Sequence, residues 1–267
     1  MSCAWFNRDR GDAVDVALEA ADELYAQRDD PARLDEAIGA YILVDSDAPS
    51  DPRVLVRLAR SFAARAETLA GPAMRKELEI ARAYGLECLA TNPGFAARVE
   101  LNGGRITRNV VRQLTREDGP CLEQTLYAWI RWAEARGPAA AVDLPALAAL
   151  SERSADLGVG WVAPWSAAMV TLLKPGPLPQ DLTVTRDQLD LAILLAPDRA
   201  TAHADLIRWQ LIREGDVAAF DLAVQRFPTT WPPTSDGDWA LENRVARDRV
   251  AALAGQGARL VYDAWGD

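Results

Sequence analysis

Three apolar stretches of this chain keep a helical period and stop at a proline. Residues 189–198 read Leu-Asp-Leu-Ala-Ile-Leu-Leu-Ala-Pro-Asp. Residues 35–49 carry Ala37, Tyr41 and Val44 before Pro49, and residues 80–93 carry Ala81, Gly85 and Cys88 before Pro93. Proline has a fixed φ and no N–H, and it turns the preceding residue away from helical geometry. Each stretch therefore reads as an amphipathic helix with a defined end. A second amphipathic run, 200–214, follows the first of them at once. The chain is constrained to short helices joined by turns.

The earlier helices pair off. Residues 12–27 place Val16, Leu18, Ala21, Leu24 and Tyr25 near helical spacing, and Asp29-Asp30-Pro31 leads to a second helix over 35–45. Asp51 is a fitting N-cap, with Pro52 at the first helical position. Leu55, Leu58, Ala59 and Phe62 then recur at i, i+3, i+4 and i+7. After Gly71-Pro72, residues 74–91 form the partner helix, closed by Asn92-Pro93. Large, small and aromatic residues on one helix, with small residues and a proline on the next, follow tetratricopeptide spacing. The connecting loops are longer than a regular unit allows, so the repeats are degenerate. The expected fold is all-α, an array of antiparallel helical hairpins (an α-solenoid). It forms a single domain over 1–267, with 1–11 as a flexible lead and 227–238 as a surface loop. Further helices are expected over 103–117, 121–136, 145–157, 166–173, 217–226 and 239–254, with a turn over 158–165 and a proline-rich loop over 174–181.

Composition removes several functions. The chain has 267 residues, 49% hydrophobic and 25% charged, which suits a soluble globular protein. A net charge of −10 argues against nucleic acid as the main partner, because phosphate binding needs clustered cations. No apolar run reaches the roughly 18 residues that suggest a membrane span. The first residues lack the apolar core of a signal peptide, so the chain as it stands is expected in the cytoplasm. The alternative is a periplasmic lipoprotein with a trimmed N-terminus, Ser2-Cys3 being the remnant of a cleavage site. Cys3, Cys88 and Cys121 are odd in number and far apart, so neither a disulfide framework nor a thiolate zinc site is expected. Cys88 reads as a small core residue. The single histidine, His203, has nothing beside it that suggests a catalytic triad. Gly103-Gly104 lacks the spacing of a phosphate loop. No catalytic residue, metal site or cofactor is expected.

Two groups remain as candidate contacts. Arg105, Arg108, Arg112 and Arg116 would share an arc of about 80° if 103–117 is one helix, with Ile106, Val110 and Leu114 on the apolar side. A solvated face paired with neighbouring carboxylates is one reading, and contact with an anion or acidic partner is the other. The chain also has nine tryptophans. Trp129 and Trp132, with Tyr127, and then Trp161 and Trp165, concentrate in its middle. They either fill irregular space between repeats or line a groove for an apolar ligand.

Four stretches resemble the TRAP-transporter T-component (TatT) family. They are Thr125-Leu126-Tyr127-Ala128-Trp129-Ile130-Arg131-Trp132-Ala133, Ala192-Ile193-Leu194-Leu195-Ala196-Pro197-Asp198, Glu214-Gly215-Asp216 before Phe220, and Glu242-Asn243-Arg244-Val245-Ala246-Arg247. The resemblance implies a helical-repeat protomer with a ligand-accessible pore or groove. It also implies a homo-oligomer, a trimer or larger ring, and a substrate-binding protein as partner. The expected function is noncatalytic binding of a partner protein or an apolar small ligand. A cytoplasmic adaptor is the alternative, and an enzyme with a carboxylate or arginine site ranks last.

Overall fold

The computed structural model describes the backbone of residues 3–175, 180–230 and 238–265, and side chains from residue 13 to residue 263 within those spans. The described residues form helices joined by turns and contain no strand, so the all-α expectation holds. The proline-rich segment 176–179 and most of the loop expected at 227–238 lie outside the described residues. Phe227 to Thr230 form the end of a helix.

The chain divides into two compact units, Met1–Arg105 with Asn109–Trp132, and Ile106–Arg108 with Ala133–Asp267. The first contains α1 (Cys3–Ala26), α2 (Pro31–Asp47), α3 (Pro52–Glu67), α4 (Gly71–Ala90) and α5 (Pro93–Leu101). Helix α1 begins earlier than residue 12, the start expected from periodicity. Three of these helices start alike. Asp30, Asp51 and Asn92 each accept a hydrogen bond from a backbone N–H of the first turn, and Pro31, Pro52 and Pro93 take the first helical position. The cap satisfies a donor the helix cannot, and the proline gives up only an N–H that had no partner. Asn92-Pro93, expected only as a stop, therefore also starts α5.

In this unit α1 packs on α2, α2 on α3, and α3 on α4. Leu18, Ala21, Tyr25, Ala37, Tyr41, Leu55, Leu58, Ala59, Phe62, Ala81 and Cys88 are buried, as the periodicity requires, whereas Val16, grouped with them by spacing, is exposed. The α1–α2–α3 junction holds a charged cluster. Asp22 accepts from Tyr41 Oη at 2.5 Å and from Arg57 Nη2 at 2.7 Å. Burial alone would raise the Asp22 pKa, but the bonds from Arg57 and Tyr41 outweigh it and hold the carboxyl below its usual range.

A four-residue helix, α6 (Arg108–Val111), and a 3₁₀ turn follow, then α7 (Gly119–Arg136). Where α4 meets α7 the backbones approach closely. A Cβ on Gly85 would lie 2.7 Å from Thr125 Oγ1 and 2.9 Å from Thr125 Cα, so only glycine fits. About one turn away, Cys88 and Cys121 form a disulfide with 5.5 Å between their Cα atoms. The expectation of no disulfide is thus corrected. Cys88 is the small core residue the pattern predicts, but it is bonded to Cys121.

The second unit contains α8 (Leu144–Leu157), α9 (Val162–Leu172), α10 (Leu182–Leu195), α11 (Ala200–Asp205), α12 (Ile212–Glu214), α13 (Val217–Thr230), α14 (Ala240–Ala251) and α15 (Gly257–Trp265). A π-helical segment, Leu206–Leu211, joins α11 to α12, so the amphipathic run expected at 200–214 is continuous but locally widened. Helix α9 packs on α8 and α10, α11 on α10 and α14, and α13 on α14 and α15. Phe220, Val224, Phe227, Ala246 and Val250 close a core with Ala200, Ala204, Ile207 and Leu211.

Candidate functional site

The five aromatic side chains predicted to line a groove fall into two sets. Tyr127, Trp129 and Trp132 belong to the first unit, and Trp161 and Trp165 to the second. All five are buried. In the first unit the Tyr127 hydroxyl donates to Glu67 Oε1 at 2.7 Å. The Arg82 guanidinium lies 4.1 Å from the Trp132 ring centre and 5.0 Å from that of Trp129. A cation over a ring face gains from the ring quadrupole, most of all away from water.

The second unit repeats this chemistry at greater depth. Trp161 and Trp165 pack tilted, with ring centres 5.3 Å apart. Arg199, itself buried, lies 3.8 Å from the centre of Trp161 and 4.0 Å from that of Trp239. Trp165 Nε1 donates to Asp205 Oδ2 at 2.8 Å, and Asp205 is wholly buried at the last residue of α11. Arg208, in the π-helical segment, bonds Glu134 at 2.7 Å and reaches within 3.5 Å of Asp205.

A single side chain fixes the corner between α10 and α11. Asn243 Oδ1 accepts from the Ala200 N–H at 2.8 Å, and its Nδ2 donates to the Asp198 carbonyl at 2.9 Å. Two of the stretches that carry the family resemblance, 192–198 and 242–247, therefore meet in space. A third supplies a helix start, where Asp216 accepts from the Ala219 N–H.

The arginine arc does not form. Asn102, Gly103 and Gly104 end α5, the glycines at φ 64° and 80°, and the Gly104 N–H bonds the Val99 carbonyl. Asn92 then takes the Gln113 carbonyl at 3.1 Å and Asp118 Oδ2 at 2.9 Å, which draws 113–118 into a turn. Only Arg108–Val111 remains α-helical, with a 3₁₀ turn at Arg116–Asp118, so the expected helix over 103–117 is corrected. Val110 and Leu114 are buried as predicted. Arg108 counts with the second unit and pairs with Glu152, its Nε donating to Oε2 at 2.6 Å. Arg105, Arg112 and Arg116 count with the first unit and are exposed.

His203 is partly buried on α11. Burial pushes its imidazole below the usual value, with Asp190 pulling the other way. Among the described residues no group of three His, Cys, Asp or Glu side chains could hold a metal ion, and no helix is long and apolar enough to cross a membrane. One surface depression is lined by Ala13, Val14, Ala17, Val44 and Asp47, and another by Thr171, Lys174, Gln180 and residues 181–185 with Gln188. Neither draws on the five predicted rings. Periodicity did not reveal Arg82, Arg199, Asp205 or Asn243. For Asn243 alone a signal existed, since a polar residue falls between apolar positions of α14.

No protein-family model matches the chain, and no curated protein matches it significantly.

Proposed function

We propose that this is a noncatalytic helical scaffold that binds a partner protein on its outer helix faces, similar to the transporter T-components. The observation that carries this reading is the state of the aromatic rings. Arg82 and Arg199 cover the faces of Trp129, Trp132 and Trp161, so these rings serve the scaffold's own packing. Apolar surface is instead offered outside, where Leu191, Leu194 and Leu195 of α10 are exposed. Stacked helical hairpins commonly bind through such extended surfaces. The resemblance adds homo-oligomerisation, as a trimer or larger ring, and a substrate-binding protein as partner.

Native mass spectrometry of protein taken from its own host tests this. A homo-oligomer or a stoichiometric protein complex is expected. A bare monomer carrying nothing would sink the reading. An apolar small molecule released by Trp129→Ala or Trp161→Ala, in protein that stays folded, would favour the aromatic-groove alternative.

The Cys88–Cys121 disulfide favours an oxidising compartment over the cytoplasm, since structural disulfides rarely persist among reduced thiols. Denatured protein from the host should show at most one titratable thiol before reduction. Three thiols at that stage would return the chain to the cytoplasm as an adaptor.

A further inference from the structure

We propose that the open depression between the end of α9 and the start of α10 binds a small molecule bearing one carboxylate, with Arg213 and Lys174 as its cations. The site lies wholly in the second unit and is independent of the protein-binding reading above.

Thr171, Lys174, Gln180, Thr183 and Gln188 are among the residues that line the depression. Arg213 of α12 reaches the same corner. Its Nη1 donates to Gln180 Oε1 at 3.2 Å and its Nη2 to the Leu172 carbonyl at 3.4 Å. Both acceptors are neutral, and both bonds are long. No carboxylate pairs with Arg213 among the described residues. Burial lowers its pKa, and no neighbouring charge opposes the shift. An exposed lone arginine is solvated by water. A half-buried one has left water without an ion to replace it.

The nearby carboxylates are committed elsewhere. Glu214, next in the chain, accepts from Gln210 Nε2 at 2.7 Å and lies 3.4 Å from Arg186. Asp181 accepts from the Val184 N–H as the cap of α10. Lys174 makes no ion pair among the described residues, and the neighbouring sequence 176–179, Gly-Pro-Leu-Pro, adds no charge. Two cations thus border the depression against one lining carboxylate, Asp181. That carboxylate favours a ligand of single negative charge over a dianion. Gln180 Oε1 holds the place on Arg213 that the ligand's carboxylate would take. A carboxylate there makes charge-assisted bonds roughly twice as strong as neutral ones. The threonine hydroxyls and the Gln188 amide suit a polar ligand body.

The start of α10 is fixed before any ligand arrives. Gln210, wholly buried in the π-helical segment, donates to the Leu182 carbonyl at 2.7 Å, and Thr185 Oγ1 donates to that of Asp181 at 2.6 Å. A wall ordered in advance loses little entropy on binding.

The test uses the full chain with lactate as the probe, read by saturation-transfer NMR on its methyl group. Lactamide, its neutral counterpart, and inorganic phosphate are the other arms. Wild-type protein should bind lactate, and the other two about tenfold more weakly or worse. Arg213→Met should weaken lactate binding about tenfold or more. Its Tm should hold or rise, because the substitution removes a half-buried charge that no carboxylate neutralises. Lys174→Gln should weaken binding a few-fold and leave Tm unchanged. Wild-type protein that leaves the lactate signal unchanged would overturn the proposal. So would lactamide or phosphate binding as tightly as lactate, or equal affinity in folded Arg213→Met. A marked fall in Tm with Arg213→Met would make Arg213 part of the fold instead, and would overturn it too.

Discussion

Both units cap helices locally, Asp181 and Asp216 serving α10 and α13 of the second, yet the second also has a helix start held from far along the chain. In the first, Asp30, Asp51 and Asn92 cap helices that start at the very next residue. In the second, the N-terminus of α11 is satisfied by Asn243, 43 residues further along. Beyond the caps, Arg199, Asp205 and Asn243 work as a buried joint assembled from α11, α14 and the tryptophans. The first unit's one long covalent tie, Cys88–Cys121, joins helices rather than helping one to start. A locally capped helix can form early and be held later, whereas a remotely capped corner is complete only with the unit around it.

The sharpest way to break the comparison is to remove that tie. The disulfide closes a separation of 33 residues, for which chain entropy gives roughly 3–4 kcal/mol. Cys88→Ser with Cys121→Ser should lower the first unit's stability by about that amount and leave the second nearly untouched. Hydrogen exchange resolved by peptide would separate the two, and equal losses in both units would deny their independence. Next in size is Asn243→Ala. It leaves a buried N–H without its acceptor, at about 1–3 kcal/mol, and should loosen α10, α11 and α14 together. Asp51→Ala should cost about 1 kcal/mol and affect only the start of α3. If the two losses matched in size and reach, the contrast between local and remote capping would be empty. Gly85→Ala is a further probe of the first unit. Its Cβ would press on Thr125 backbone, so overpacking of about 1–3 kcal/mol is expected despite alanine's better helix propensity.

The smallest effect is in pH. His203 has a folded pKa below its usual 6.5. The unfolded chain therefore takes up this proton first, and the second unit should begin to lose stability as pH falls below that value. Asp22 and Asp51 have folded pKa values below the usual 3.8, the latter chiefly through its bonds from Arg53. Their stabilisation of the first unit is full above 3.8 and is lost as pH falls through the lowered folded values. Urea midpoints taken near neutrality, in mild acid and in strong acid should fall in that order, the second unit first. His203→Gln should flatten the early step, and an unchanged step would assign it to other groups.

These contrasts also explain what the sequence made legible. Asp51-Pro52 and the spacing of Leu55, Leu58, Ala59 and Phe62 specify a helix within one short window, and α3 follows them. Asn92-Pro93 carries the same start signal, yet after a long apolar run it looks like an ending. Ile106, Val110 and Leu114 recur every four residues and look helical. What breaks that stretch is Asn92, bonding 21 and 26 residues ahead. The disulfide escaped a parity argument because Cys3 makes the count odd. The tryptophans were conspicuous, but not the guanidiniums that cover them, since Arg82 and Trp132 lie far apart in the chain.

The Asn243 stitch bears on how the chain is made. Synthesis at about 5–20 residues per second separates Ala200 from Asn243 by roughly 2–9 s. During that interval the corner's N–H and carbonyl have only water as partner. Helices α2, α3 and α5 of the first unit carry their caps with them as they emerge, as do α10 and α13 of the second. The corner between α10 and α11 has no such early cap, so the nascent chain is most exposed to proteases and to wrong pairings there just before α14 arrives. Truncations that remove α14 should be degraded in the cell even where α8 to α11 are intact.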